Sequence, residues 1–228
     1  MNEFPRIRCV GDTGILVEFG DRIAPEVNDR VVALDRDLQQ VKPLGLISLT
    51  PAYASLLVSY DPLGTTPEPL IAMIEALVRQ PSPGVVATQR MKIPVCYDPP
   101  FGPDLAGVAA DTGRSIEAVI AAHLGGRYRV YMYGFAPGYA YLGGVAQEIQ
   151  VPRRTSPVRD VPAGSVIIAG PQCIVTTVTM PTGWWIIGRS PVRIFRPEAT
   201  DPFLLDVGAE VRFVQISTAE MAEELADG

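Results

Sequence analysis

Histidine is nearly absent, with His123 the one histidine in 228 residues. The three cysteines, Cys9, Cys96 and Cys173, stand far apart and form no C-x-x-C pair. Zinc centres draw on several His or Cys ligands at close spacing, so no metal ligands are expected. An odd number of separated cysteines reads as reduced thiols in a reducing compartment. No apolar run approaches the roughly 18 residues that span a bilayer. Met1–Val10 carries charge and proline where a signal peptide needs an apolar core. The expectation is a soluble, cytoplasmic chain without membrane contact. Positive charge is also short, 19 Lys and Arg against 25 Asp and Glu, for a net charge of -6. Nucleic-acid binding wants a basic face that displaces counterions from phosphate, and no nucleic-acid partner is expected. The segment Asp104–His123 has some helix-turn-helix character, but its second helix carries no basic or amide side chain to read bases. There is no P-loop, no strand-borne G-x-G-x-x-G and no G-x-S-x-G nucleophile elbow.

What is present is a folded, apolar chain: 47% hydrophobic and 19% charged residues, with mean hydropathy +0.19. Its 21 glycines and 22 prolines exceed ordinary usage and are aperiodic, which implies many tight turns between short strands. Residues 1–84 read as one α+β domain. Arg6–Val10 and Gly14–Phe19 are expected strands. Pro25 opens a helix whose Val27, Val31, Leu34, Leu38 and Val41 share one face. Leu46–Thr50 and Ala54–Tyr60 are further strands, and Thr66-Pro67 caps a second amphipathic helix. Gln80-Pro-Ser-Pro-Gly84 is the expected linker. Residues 85–228 change pattern. Two short helices, about Pro103–Ala110 and Ser115–Leu124, precede strands at Tyr128–Tyr133, Ser165–Ala169, Ile174–Met180, Trp184–Ile187, Val192–Phe195 and Glu210–Ile216. Short strands with Gly/Pro turns suggest a barrel or sandwich. Ser217-Thr-Ala-Glu220 has the form of a capping box for a closing helix.

Three stretches carry chemistry. Tyr133-Gly-Phe-Ala-Pro-Gly-Tyr-Ala-Tyr-Leu-Gly-Gly144 combines glycines, which let backbone approach a ligand, with rings that can wall a pocket. It reads equally as a packed turn whose rings plug a barrel end. Val151-Pro-Arg-Arg-Thr-Ser-Pro-Val-Arg159 is a local positive patch in an acidic chain, suited to carboxylate or phosphate or else to a solvated loop. Gly183-Trp-Trp-Ile-Ile-Gly-Arg189 places Arg189 at a strand exit. His123 lies on the apolar stripe of its helix with Ile116, Val119 and Ile120, capped by Gly125. The C-terminal position would favour a protonated ring, and the choice is between a core residue and a general acid or base.

The ordered set of motifs resembles the B subunit of bacterial ATP-dependent 5-oxoprolinase. This family is also called allophanate hydrolase subunit 1 and includes a sporulation histidine-kinase inhibitor. The resemblance runs through Gly11-Asp-x-x-Ile-Leu-Val-Glu-Phe-Gly20, Ile93-Pro-Val-Cys-Tyr97, Phe101-Gly-Pro-Asp-Leu105 and His123 with Tyr128-Arg-Val-Tyr-Met132. It continues through Gly134-Phe-x-Pro-Gly-Tyr-x-Tyr-Leu-Gly-Gly144, Pro152-Arg-Arg154, Val161-Pro-Ala-Gly-Ser-Val166 and Gly183-Trp-x-x-Ile-Gly-Arg189. It spans residue 11 to about 216.

The resemblance implies a small N-terminal ferredoxin-like α+β domain followed by a mainly-β cyclophilin-like barrel, without prolyl isomerase activity. It implies a non-autonomous enzyme subunit, inactive alone. With a C subunit it would use ATP and Mg, at a shared site, to activate 5-oxo-L-proline by phosphorylation. No cofactor would be bound by this chain alone, and an A subunit would complete opening to L-glutamate. A urea-amidolyase or carboxyltransferase component and a kinase-inhibitor-like regulator are the alternatives. The expected catalytic residues are His123, Arg154 and Arg189. The expected substrate-binding residues are Phe135, Pro137, Gly138, Tyr139, Tyr141, Gly143, Gly144, Arg153 and Gln172. The chain departs from the family pattern at Tyr139-Ala140, where a proline is usual. It departs again at Cys173 and Ile174 after Gln172, where small or polar residues are usual; a narrower, more apolar pocket is the expected consequence.

Overall fold

The computed structural model describes residues 4–80 and 89–227. The chain divides into two compact units, Met1–Ala87 and Thr88–Gly228. The expected linker at Gln80–Gly84 runs into residues 81–88, which lie outside the described residues.

In the first unit the order is β1 (Arg6–Val10), β2 (Gly14–Glu18), α1 (Pro25–Val41), β3 (Leu46–Pro51), β4 (Ser55–Tyr60) and α2 (Pro67–Arg79). The strands form one antiparallel sheet in the order β1-β2-β4-β3. Ile15 and Val17 pair with Val58 and Leu56 and point to the same side. There they meet Val27, Val31, Leu34 and Leu38 of α1 and Leu70 and Ile74 of α2 in one core. Both helices therefore cover one sheet face, because a period-two face can be buried only against a 3.6-period stripe. Pro25 and Pro67 stand in the first helical turns, as their fixed φ favours, while Thr66 occupies the N-cap without a side-chain capping bond.

The second unit begins with β5 (Arg90–Cys96), α3 (Leu105–Thr112), α4 (Ile116–Gly125), β6 (Tyr128–Tyr133) and β7 (Ala140–Gly143). It continues with β8 (Val158–Val161), β9 (Ser165–Ala169), β10 (Gln172–Val175), β11 (Met180–Thr182), β12 (Trp185–Arg189), β13 (Glu210–Ile216) and α5 (Thr218–Asp227). Seven strands close a barrel in the order β10-β7-β6-β13-β5-β12-β9, and β8 pairs with β11 as a separate two-stranded flap. This is the mixed α+β architecture with a cyclophilin-like barrel that the motifs implied.

Alternation along each barrel strand sorts side chains between two layers. Val166, Ile168, Cys173, Val175 and Leu142 fill the barrel interior with Ile93, Val95, Val130 and Phe213. Ile167, Ala169 and Ile174 face outward and form a second cluster with Tyr139, Val161, Trp184 and Ile186. The flap supplies Val158, Val161 and Met180 to that outer cluster.

Several local expectations are corrected. The expected strand Ile174–Met180 stops at Val175, because the Thr176 and Thr177 hydroxyls turn to the Pro162 and Pro137 carbonyls, and Met180 opens a strand of the flap. Val192–Phe195 is no strand; among these residues only Phe195 makes a bridge, to Phe203. Pro191 and Pro197 bracket the segment, and the Val192 N–H is taken by Ser190 Oγ at 3.2 Å, which interrupts the run of donors a ladder needs. The strands β5, β7 and β8 were not anticipated. The α4 cap is Gly126, with Gly125 inside the helix, and Ser115 accepts the Ala118 N–H at the other end. At α5 the capping box forms as expected: Ser217 N–H donates to Glu220 at 2.7 Å and Glu220 N–H to Ser217 Oγ at 3.3 Å.

Candidate functional site

The barrel topology divides the expected site residues between its two ends. Because β6 and β7 are antiparallel, residues 134–139 cap the end where β6 stops. At the same end lie the last residues of β10, the Val161–Ser165 turn and Arg189, which pairs with Ser165 and Cys96.

The 134–139 loop is a sequence of tight turns. Ala136 N–H donates to Gly134 O at 3.0 Å, and Tyr139 N–H to Ala136 O at 3.1 Å. Phe135, between Gly134 and Ala136, has φ +74. An i to i+2 bond around a positive φ is the rarer, strained hand of γ-turn, and a bulky residue there costs about 1–3 kcal/mol. Phe135 is 78% exposed. Gly138, at φ +70, sits against the Phe195 ring, where an added Cβ would come within 2.7 Å of the Phe195 Cβ. The Thr177 hydroxyl holds the Pro137 carbonyl at 2.7 Å. Phe195 stacks on Phe203 and Tyr133 tilts against it, each pair at 5.5 Å between ring centroids. Between Tyr133, the 134–138 backbone and Phe203 lies a groove of about 350 Å³, within the range of small-molecule sites. Arg189 Nε donates to the Ala163 carbonyl at 3.1 Å.

The opposite barrel end holds Arg153, Arg154, Gly143, Gly144 and Gln172. Arg154 pairs with Asp104 at 2.6 Å and lies 4.8 Å over the Trp185 ring. The other Asp104 oxygen accepts the Ile186 N–H at 2.8 Å, and Trp185 Nε1 donates to Pro152 O at 2.8 Å. Asp104 stands at the N-cap of α3 yet makes no capping bond there; its carboxylate instead fastens the arginine loop to the start of β12. Trp185 and Arg189 are four residues apart along that strand, about 13 Å. Arg154 and Arg189 thus stand by opposite ends of β12. Arg153 is exposed, with its guanidinium 5.7 Å from the Trp184 ring. Gln172 pairs with Gly143, and a side chain at Gly144 would collide with the Arg127 carbonyl.

The rings at Tyr139 and Tyr141 belong to neither end. They lie on the outer barrel wall under the flap, in a chain of contacts from Phe135 through Tyr139 and Tyr141 to Trp184 at 5.7, 6.3 and 6.1 Å. They do not plug the barrel. Tyr139 is 4% exposed, and burial pushes its phenol up to about 12.

His123 is fully buried. Tyr97 OH lies 2.7 Å from Nδ1, Cys173 Sγ lies 3.7 Å from Nε2, and Phe213 stacks on the ring at 4.6 Å. Burial lowers its pKa to about 3, so the ring is neutral, not the cation the helix terminus favours. A general acid or base must reach its substrate or a water, and this ring is sealed from both. Cys173 is accordingly a barrel-interior residue and Ile174 an outer-layer one; neither lines the groove. Tyr133, Phe203 and Asp104 were missed in the sequence. Tyr133 adjoins the glycine-rich loop, which is a signal; Phe203 reaches the groove from 70 positions away, which no local pattern reveals. Among the described residues no cluster of His, Cys, Asp or Glu is arranged to hold a metal ion, and no helix is long and apolar enough to cross a membrane.

Comparison with known proteins places these features in a family. Residues 5–205 match the carboxyltransferase domain, subdomain C and D. The 5-oxoprolinase B subunit of Bacillus subtilis (strain 168) is 39% identical over 223 residues, covering 93% of each chain. The crystal structure of the protein TTHA0988 superposes with a TM-score of 0.81 at 35% identity, over 92% of this chain and 40% of that longer one. The urea carboxylase of Kluyveromyces lactis shares the fold alone, with a TM-score of 0.75 at 17% identity over 98% of this chain and 23% of that one. The chain therefore belongs to the carboxyltransferase-domain family, within its group of 5-oxoprolinase B subunits.

Proposed function

We propose that this chain is the B subunit of an ATP-dependent 5-oxoprolinase, acting on 5-oxo-L-proline with a C subunit and a lactam-opening A subunit. The observation that carries the reading is the 39% identity to the Bacillus subtilis protein of that name, over 93% of this chain and so across both structural units. An enzyme subunit inactive by itself fits the chemistry on the page. The groove beside Phe135, Pro137 and Gly138 has the size and apolar lining for one small ring, and Arg189 sits at the same barrel end. Arg154 is tied to Asp104, whereas Arg153 keeps its guanidinium exposed over Trp184. An exposed guanidinium on a surface loop does not by itself make a triphosphate cradle, which supports a nucleotide and Mg site completed by the companion subunit. ATP supplies the phosphoryl group that makes the lactam oxygen a leaving group. In this reading the rim orients the lactam and shields it from water, and His123 has a packing role.

The test is co-expression with the cognate C subunit, followed by assay of ATP hydrolysis with and without 5-oxo-L-proline. Lactam-dependent turnover by the complex, absent from this chain alone, is the expected result. Turnover by the isolated chain, or none by a well-formed complex, contradicts it.

A further inference from the structure

We propose that the groove between the Tyr133–Gly138 loop and Phe203 is the seat of a small planar amide, with the Tyr133 hydroxyl donating to its carbonyl oxygen. Tyr133 lines the groove, yet its hydroxyl is sheltered from water and has no hydrogen-bond partner. Buried hydroxyls are ordinarily paired, and an orphan retained in a folded protein calls for an explanation. A second orphan, Arg196 Nε, belongs to the neighbouring segment, where Arg196 N–H donates to Pro202 O beside Phe203. Among the described residues these are the orphaned buried side-chain atoms of the whole barrel unit, and both fall in this corner. Two residues along from Tyr133, Phe135 is held at positive φ and is largely exposed. Strain in a non-glycine residue persists where surrounding structure imposes it and gathers at ligand clamps.

The unfavourable features share one remedy. A ligand that enters the groove and lets Phe135 leave its left-handed conformation meets the sheltered Tyr133 phenol in its lining. Burial, with Asp206 and Asp201 nearby, keeps that phenol protonated, so it acts as a donor, and the matching group is a carbonyl oxygen. The Phe135 and Phe203 rings supply faces for a planar ring, for which offset stacking is favourable. The nearby carboxylates disfavour placing a ligand's own carboxylate over the phenol, so the amide end enters first. The choice of a lactam rests on the function proposed above; the existence of the site does not.

The test has two arms. In the reconstituted complex, Tyr133→Phe is expected to raise KM for 5-oxo-L-proline about tenfold, the worth of one hydrogen bond of ordinary strength, while the thermal midpoint stays level or rises because an orphan hydroxyl is gone. An unchanged KM overturns the inference. If the wild-type complex shows no lactam-dependent ATP hydrolysis, the functional reading fails and the site is judged by the second arm. There, 2-pyrrolidinone is titrated into the isolated full-length chain and followed by amide NMR. Shifts centred on residues 133–138 and 203, weakened in Tyr133→Phe, support the site; shifts elsewhere, or none, overturn it.

Discussion

Asp104 holds Arg154 at 2.6 Å while its second oxygen accepts the N–H of Ile186. This carboxylate joins α3, the Arg153–Arg154 loop and β12, three segments distant in sequence. A pair so placed acts on structure before it acts on any ligand. Arg154→Ala strands a carboxylate whose side chain is 15% exposed, and charged hydrogen bonds of this kind are worth about 1.5–3 kcal/mol. Urea unfolding should show a stability loss of that order. A variant as stable as wild type refutes the assignment. Arg154→Lys, which keeps charge but loses the planar stack on Trp185, should fall between the two.

Arg153 presents the opposite case. It is exposed, with its guanidinium 5.7 Å from the Trp184 ring. Arg153→Ala should therefore change stability by no more than about 0.5 kcal/mol and, because it lies at the barrel end away from the groove, leave KM of the reconstituted complex for 5-oxo-L-proline unchanged. Steady-state kinetics beside a thermal melt checks both. A raised KM places Arg153 at the lactam site.

His123 makes stability depend on acid. Its pKa is lowered to about 3 in the fold from 6.5 by burial. Between those values the unfolded chain binds the extra proton, so stability falls as pH drops from 6.5 toward 3 and is unaffected by this group above 6.5. The slope approaches about 1.4 kcal/mol per pH unit. Denaturation midpoints across that range should show the decline, and His123→Phe should flatten it while lowering stability at pH 7, since Tyr97 loses its partner. An equal slope in both proteins excludes His123 as the source.

Gly138→Ala tests the loop's seating. The substitution adds a Cβ at φ +70 and within 2.7 Å of the Phe195 Cβ. The expected result is a stability loss above about 1 kcal/mol and exchange broadening of loop amides from 134 to 139. Unchanged spectra mean the loop does not lean on Phe195.

Much of the fold is legible along the chain. The heptad-like apolar steps of α1, the prolines at both helix starts and the Ser217–Glu220 capping box are local signals, set by interactions within a few residues. The strands that went unseen, β5, β7 and β8, lack such signals: β5 carries Pro94 and alternates with charge, and β7 lies inside a glycine-rich loop. β5 pairs with β13, whose residues lie far along the chain, and β8 with β11 across the whole of β9 and β10, while β7 pairs with the adjacent β6 but only across the irregular glycine-rich turn.

The amino-acid sequence by itself determined the family, the α+β class and the residues rich in chemistry, because motif order and hydrophobic period are properties of the chain. Only the tertiary structure decided what those residues do. Barrel closure sent Arg154 and Arg189 to opposite ends, drew His123 and Cys173 into a dry interior, and brought Phe203 to Tyr133. Burial and partnership, not residue type, set whether a guanidinium, an imidazole or a phenol is free to act, and these exist only once distant strands have met.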